Sequence, residues 1–214
     1  MTLNLSVDEV LTTTRSVRKR LDLEKPVPRK VLLECLELAI QAPTGSNAQG
    51  WQWVFVEDAD KKKAIADIYQ RGAEWYRTMP RAEYPDGDVR GERMEAVTDS
   101  ALYLAEHLDE VPVLMIPCLR GRVENSPQLS ASFWASLFPA AWSFCLALRS
   151  RGLGSCWTTF HLLAEGEEQT AEVLGIPYDE YSQGGLFPIA YTKGTDFRPA
   201  KRLPVEDIVH WDSW

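Results

Sequence analysis

Two segments of this chain gather side chains suited to a flat, phosphorylated ligand. Thr14-Arg15-Ser16-Val17-Arg18-Lys19-Arg20 places four basic residues and a serine hydroxyl within seven positions. A guanidinium donates through a planar fork and a serine adds one directed bond, so arginines flanking a serine can hold a phosphate. A solvated basic patch at the end of a helix would use the same residues. The second segment is Ala42-Pro43-Thr44-Gly45-Ser46-Asn47-Ala48-Gln49-Gly50-Trp51-Gln52-Trp53. Its Pro and Gly shape the backbone, its hydroxyls and amides offer donors and acceptors to a heteroatom-rich ring, and its indoles offer apolar area. A helix end followed by a turn, its side chains capping the backbone, is the alternative.

Two further segments join these in carrying a family resemblance: Gly152-Leu153-Gly154-Ser155-Cys156-Trp157-Thr158-Thr159, and Lys201-Arg202-Leu203-Pro204-Val205-Glu206-Asp207-Ile208-Val209. In order and spacing the four resemble the nitroreductase family of FMN flavoproteins, from about residue 8 to residue 210. In that family an R-S-x-R element contacts the FMN phosphate, ribityl chain and pyrimidine edge. A P-S/T-x-x-N-x-Q-P-W segment reaches the flavin of the partner subunit, and a G-L strand and loop passes close to flavin N5. The chain departs from the pattern at Thr14, where many members have a first arginine, and at Gly50, where proline is usual. Arg20 stands near a position often aromatic, and the stretch 71–100 has no counterpart.

The resemblance implies roles. Arg15, Ser16, Lys201 and Arg202 would gather around the phosphate, and Arg18 would face the pyrimidine edge. Pro43, Thr44, Gly45, Asn47 and Gln49 would meet the flavin edge, with Asn47 and Gln49 as its bonding partners. Trp157 would lie in the loop facing N5, and Thr158 and Thr159 would be its catalytic residues. The resemblance further implies a ping-pong scheme in which NAD(P)H and acceptor take turns over one flavin face, in an obligate, intertwined homodimer.

The residues themselves agree with cofactor-borne chemistry. No nucleophile or general base stands out. No G-x-G-x-x-G fingerprint follows a strand, so a nicotinamide donor would have no Rossmann domain of its own. The three histidines, His107, His161 and His210, are far apart and lack metal-binding spacing, so no metal is expected.

Local signals place these segments on elements. Ser6 with Glu9 forms a capping box that starts a short helix ending near Thr14. Pro28 opens a helix to about Gln41, with Val31, Leu32, Cys35, Leu36, Ala39 and Ile40 at helical spacing. Helices are also predicted for Ala59–Gln70, Met94–Leu108, Ser130–Arg149 with a bend at Pro139, and Glu165–Leu174. Gly152 closes the helix Ser130–Arg149. Strands fall near 53–57, 112–119, 155–159 and 185–191. The fold class is therefore α+β, and the resemblance sharpens it to an α/β/α sandwich with a mainly antiparallel sheet. One domain spans 1–214, with a lid or insertion at about 71–100 whose polar run 71–92 reads as a loop.

Composition excludes other classes. The net charge is −8 over 214 residues, which argues against nucleic acid as a partner. The first residues lack a basic start and apolar core, so no secretion signal is visible and a cytoplasmic location is expected. The apolar segment 131–148 carries Ser132, Ser136, Pro139 and Ser143 and reads as a buried helix, with no membrane as partner. Cys35, Cys118, Cys145 and Cys156 are widely spaced and expected to be reduced.

The resulting expectation is an FMN-dependent oxidoreductase that uses NAD(P)H to reduce a nitroaromatic, quinone or similar small planar acceptor. One alternative is the reductive dehalogenase branch typified by iodotyrosine deiodinase, whose lid grips an amino-acid zwitterion with Glu, Tyr and Lys. Here Glu74 and Tyr76 are present at the wrong spacing, and 71–100 holds no lysine. The other alternative is a flavin-binding sensor without turnover.

Overall fold

The computed structural model describes residues 2–80, 82–85, 87–125 and 127–214. A five-stranded sheet in the order β1-β2-β5-β3, with β4 also paired to β2, lies between two helical layers. The strands are β1 (Trp51–Val56), β2 (Val113–Arg120), β3 (Leu153–Gly154), β4 (Tyr181–Gln183) and β5 (Phe187–Tyr191), and every pairing is antiparallel. The helices are α1 (Val7–Thr13), α2 (Arg29–Ala39), α3 (Ala59–Arg77), α4 (Met94–Glu106), α5 (Ser130–Ala135), α6 (Phe138–Ser150) and α7 (Gly166–Leu174).

Strand β2 organises both layers. Successive side chains of a strand point to opposite faces. Leu114, Ile116 and Cys118 accordingly pack with Ile65 and Tyr69 of α3 and Leu104 of α4. Val113 and Met115 pack with Leu32 and Cys35 of α2 and Phe144 and Leu148 of α6. A proline within so central a strand is uncommon, because it cannot donate to the ladder. Pro117 is tolerated because residues 113–115 pair with β5 and 118–120 with β4, leaving it between the two. All four cysteines are free and buried.

Local signals govern the helix ends. At α1 the Glu9 amide donates to Ser6 Oγ at 3.2 Å and the Ser6 amide donates to Glu9 Oε2 at 2.7 Å. α6 ends at Gly152, which takes φ +75° just past the C-cap Arg151.

Four expectations are corrected. α3 runs on to Arg77, past Gln70, so 71–77 is helix rather than loop. Gly72, inside this helix, is a packing glycine: a Cβ there would lie 1.9 Å from the Phe160 carbonyl oxygen. The single helix Ser130–Arg149 is two, α5 and α6, parted at Ser136 and Leu137. Pro139 sits in the first turn of α6, where its missing N–H costs no bond, so it begins a helix instead of bending one. The strand at 155–159 shrinks to β3 with isolated bridges at Ser155 and Thr158. Finally, β4 is a polar three-residue strand that no hydrophobic pattern announced. The run Pro127–Ser150 is apolar and long enough by composition to cross a membrane. Within it α6 buries Ala141, Phe144 and Leu148 in the core shared with α2.

Candidate active site

The basic segment after α1 is built into the edge of the sheet. Ser16 and Ser155 form a parallel bridge, and the Val17 amide donates to the Ser155 carbonyl at 2.8 Å. The buried Val17 side chain passes so close that a Cβ on Gly154 would meet it at 3.0 Å and the Thr192 methyl at 2.6 Å. Glycine at 154 is thus a requirement of close approach. This pairing aligns Arg15, Ser16 and Arg18 beside the chain that leaves β3. Arg18 Nη1 lies 3.4 Å from Ser100 Oγ of α4. Burial pushes the Cys156 thiol up to about 11, and the nearby Arg18 pulls it partly back.

Beside this edge opens a cavity of about 890 Å³. Among the described residues, every charged side chain lining it is cationic, although the protein as a whole carries −8. Some of these cations have carboxylate partners. Lys19 pairs with Asp99, Arg20 with Asp196 at 2.6 Å, Arg90 with Asp88 at 2.7 Å, and Lys201 with Glu92 at 3.2 Å. Arg15 has none among the described residues. Burial lowers its pKa from the ordinary value, and the charges of Arg202 and Arg93 lower it further. Arg149, only 5% exposed, bonds Thr13 Oγ1 and the Thr195 carbonyl, while its Nη1 has no partner among the described residues. Ser155 Oγ is likewise buried and unpartnered there.

The apolar wall is aromatic. Trp157 donates from Nε1 to the Gly184 carbonyl at 2.8 Å. It meets the edge of Phe138 at 4.8 Å between centroids and packs on Phe187 at 5.2 Å. A Cβ at Gly185 would lie 2.3 Å from that indole nitrogen, so the indole is held on both sides. Trp142 of α6 adds a second, 43% exposed indole to the lining.

Of the residues singled out from sequence, Arg15, Ser16, Arg18, Trp157, Lys201 and Arg202 line this cavity. Thr158 and Thr159 are not among its lining residues. The Thr158 amide donates to the Leu186 carbonyl at 3.0 Å, its carbonyl accepts from the Leu186 amide at 2.8 Å, and its hydroxyl bonds Tyr69. Thr159 is exposed.

Pro43, Thr44, Gly45, Asn47 and Gln49 also lie outside the lining. Their loop rests on the break between α5 and α6, where the Gly45 amide donates to Ser136 Oγ at 3.0 Å and Trp51 Nε1 donates to the Ser136 carbonyl. The loop is exposed and strained: Ser46, Asn47 and Gln49 hold φ of +53°, +53° and +48°, values that non-glycine residues seldom adopt.

Sequence reasoning missed Arg93, Arg149 and Ser155 as lining residues. Ser155 lay within a segment already singled out. Arg93 and Arg149 carried no local signal, since each reaches the cavity only through tertiary contacts.

A model of the Nitroreductase family matches residues 11–191. The 4-nitrobenzoate reductase of Nocardioides sp. is 31% identical over 173 residues, spanning 70% of this chain and 66% of that protein. NADH dehydrogenase of Thermus thermophilus is 29% identical over 212 residues, spanning 92% and 91%. The crystal structure of oxidized iodotyrosine deiodinase bound to FMN and 3-iodo-L-tyrosine matches the fold with a TM-score of 0.72 at 23% identity, covering 98% of this chain and 100% of that one.

Proposed function

The chain belongs to the Nitroreductase family, and on that premise we propose that it is an FMN-dependent oxidoreductase that passes electrons from NAD(P)H to a nitroaromatic, quinone or similar planar acceptor. The observation that carries this reading is the all-cationic lining of a cavity with an indole wall, in a protein that is acidic overall.

The donor set fits the cofactor. Arg15 and Ser16 offer side-chain donors without partners among the described residues, Arg202 offers the donors left beside its bond to the Lys201 carbonyl, and the buried Ser155 hydroxyl, unpartnered among the described residues, has spare capacity for a polar group. FMN, when bound, supplies two-electron uptake and delivery. Arg18, which lines the cavity, would supply positive charge to the pyrimidine edge of the bound flavin, where negative charge develops on reduction. Trp157, clamped by Gly184 and Phe138, shapes one wall and excludes water from it. Thr158, with its amide, carbonyl and hydroxyl already engaged, acts as a positioning residue for Trp157.

Donor and acceptor share the one cavity in turn, in a ping-pong order, because the chain has no dinucleotide fold of its own. The protein acts as a cytoplasmic homodimer in which the loop 43–49 completes the cavity of the second copy. Support comes from the strain and exposure of that loop outside its own cavity. Exposed apolar side chains add to it, Leu11 on α1, Leu33 and Leu38 on α2 and Trp211 in the tail. A dehalogenase lid is disfavoured: Tyr76 is packed on Phe160 at 5.1 Å, and 71–100 holds no lysine.

The test is the absorbance spectrum of the purified protein followed by anaerobic NAD(P)H. Flavin bands that bleach with NAD(P)H and return with a nitroaromatic are expected. A colourless protein that takes up no added FMN would refute the reading.

A further inference from the structure

Three arginines from distant parts of the chain meet in this cavity. Arg15 follows α1, Arg93 ends the 3-10 turn Gly91–Arg93 that leads into α4, and Arg202 belongs to the C-terminal tail. Among the described residues, none of the three has a carboxylate partner, and no carboxylate lines the cavity. Arg15 is close enough to the other two to feel both charges. Like charges gathered in a partly buried place repel unless an anion completes the group.

The residues around Arg93 hold it in this position. Glu92 pairs with Lys201 at 3.2 Å, which fastens the turn to the tail that carries Arg202. Arg90, at the start of the same turn, is satisfied by Asp88 and lies over the Tyr84 ring. Lys19 and Arg20 are satisfied by Asp99 and Asp196. Lys19, Arg20, Arg90 and Lys201 thus have carboxylate partners, while Arg93 lines the cavity with Arg15 and Arg202 and, among the described residues, has no side-chain partner.

We propose that Arg93 is a direct ligand of the FMN phosphate, forming with Arg15 and Arg202 a three-sided clamp, so that the cofactor's phosphate fastens the turn Gly91–Arg93 over the cavity. The inference rests on the reading of the cavity as an FMN site. It makes the position of a turn that lines the cavity dependent on the cofactor's charged end and not only on its ring.

Affinities of the flavin-free protein for FMN and for riboflavin, which lacks the phosphate, decide the matter. Both can be read from quenching of flavin fluorescence. Arg93→Ala is expected to weaken FMN about tenfold, the scale of one charge-assisted hydrogen bond, and to leave riboflavin affinity unchanged. Arg93→Lys should recover part of the loss. Adding Thr14→Arg, which places a guanidinium on the same wall beside Arg15, should restore the preference of Arg93→Ala for FMN. Equal losses for FMN and riboflavin would mean that Arg93 only supports the segment, and unchanged FMN affinity would mean that it serves some other ligand; either overturns the clamp. If Arg93→Ala does not fold by circular dichroism, Arg93→Gln carries the same comparison. An unaltered protein that binds FMN no better than riboflavin, or binds neither, defeats the FMN reading itself and the clamp with it.

Discussion

Tyr69 Oη lies 2.7 Å from Thr158 Oγ1, and this bond joins the middle of α3 to the loop carrying the indole wall of the cavity. Tyr69 is 1% exposed, and burial pushes its phenol well up, with the Thr158 bond and Arg18 pulling partly back. The phenol therefore stays protonated and the bond persists across the working pH range. Through it the helix behind the sheet sets the position of Trp157, the residue next to Thr158.

Tyr69→Phe should cost about 1 kcal/mol of stability, the usual net worth of one such bond plus some unmet polarity at Thr158. Thr158→Val should cost a similar amount, and the double variant little more than either alone. Urea unfolding measures all three. Losses that add in full would show that the two residues are not coupled.

Gly72→Ala tests packing against propensity. In an open helix this change gains up to ~1 kcal/mol. Here the new Cβ would fall 1.9 Å from a backbone carbonyl oxygen, that of Phe160, and neither helix nor turn can yield cheaply. A net loss of roughly 1–3 kcal/mol is expected, read as a lower denaturant midpoint. A stabilised variant would mean that α3 and Phe160 are not in contact.

His161 predicts an acid sensitivity. It is fully buried, and burial lowers its pKa to about 3, with the Gln183 side chain beside it offsetting a little. Well above the ordinary histidine value of about 6.5 the ring is neutral in both folded and unfolded chains and gives no pH dependence. Below that, the unfolded chain takes up a proton that the folded chain refuses. Stability should then fall by up to ~1.4 kcal/mol per pH unit down toward the folded value. His161→Phe should remove that share of the slope between about pH 6 and 4. Denaturant melts across this range give the comparison, and equal slopes would exclude His161 as the cause.

Arg18→Ala should lower the potential of bound flavin. A cation at the pyrimidine edge favours the reduced, more negative form, so its removal disfavours reduction. A loss of ~1.4 kcal/mol corresponds to about 30 mV for a two-electron couple. Anaerobic redox titration with reference dyes reads it directly. An unchanged potential together with unchanged FMN affinity would remove Arg18 from the site.

Sequence-level signals found elements where local chemistry was decisive. Ser6 and Glu9 cap α1 as a reciprocal pair, Gly152 ends α6 in the left-handed region, and the periodicity of α2 buries Leu32, Cys35 and Ala39. The same signals misled where one residue type can serve two purposes. Proline starts helices as well as bending them, and Pro139 does the former. Glycine breaks helices but also lets a backbone approach, and Gly72 does the latter inside α3. β4 was invisible because its pairing with β2 depends on position in the sheet and not on apolar alternation.

The sequence by itself determined the class of the protein and its chemical vocabulary: an acidic α+β chain with a basic R-S-x-R segment, an amide-rich loop and a basic tail. These follow from residue types and short spacings, which act over a few residues of chain. Only the tertiary structure decided which of those groups meet. Ser16 reaches Ser155 by strand bridging, Lys201 reaches Glu92 by an ion pair, and Arg93 lines one cavity with Arg15 and Arg202. Charges so far apart in sequence interact through their separation in space, and that separation is set by the packing of the sheet and its two helical layers.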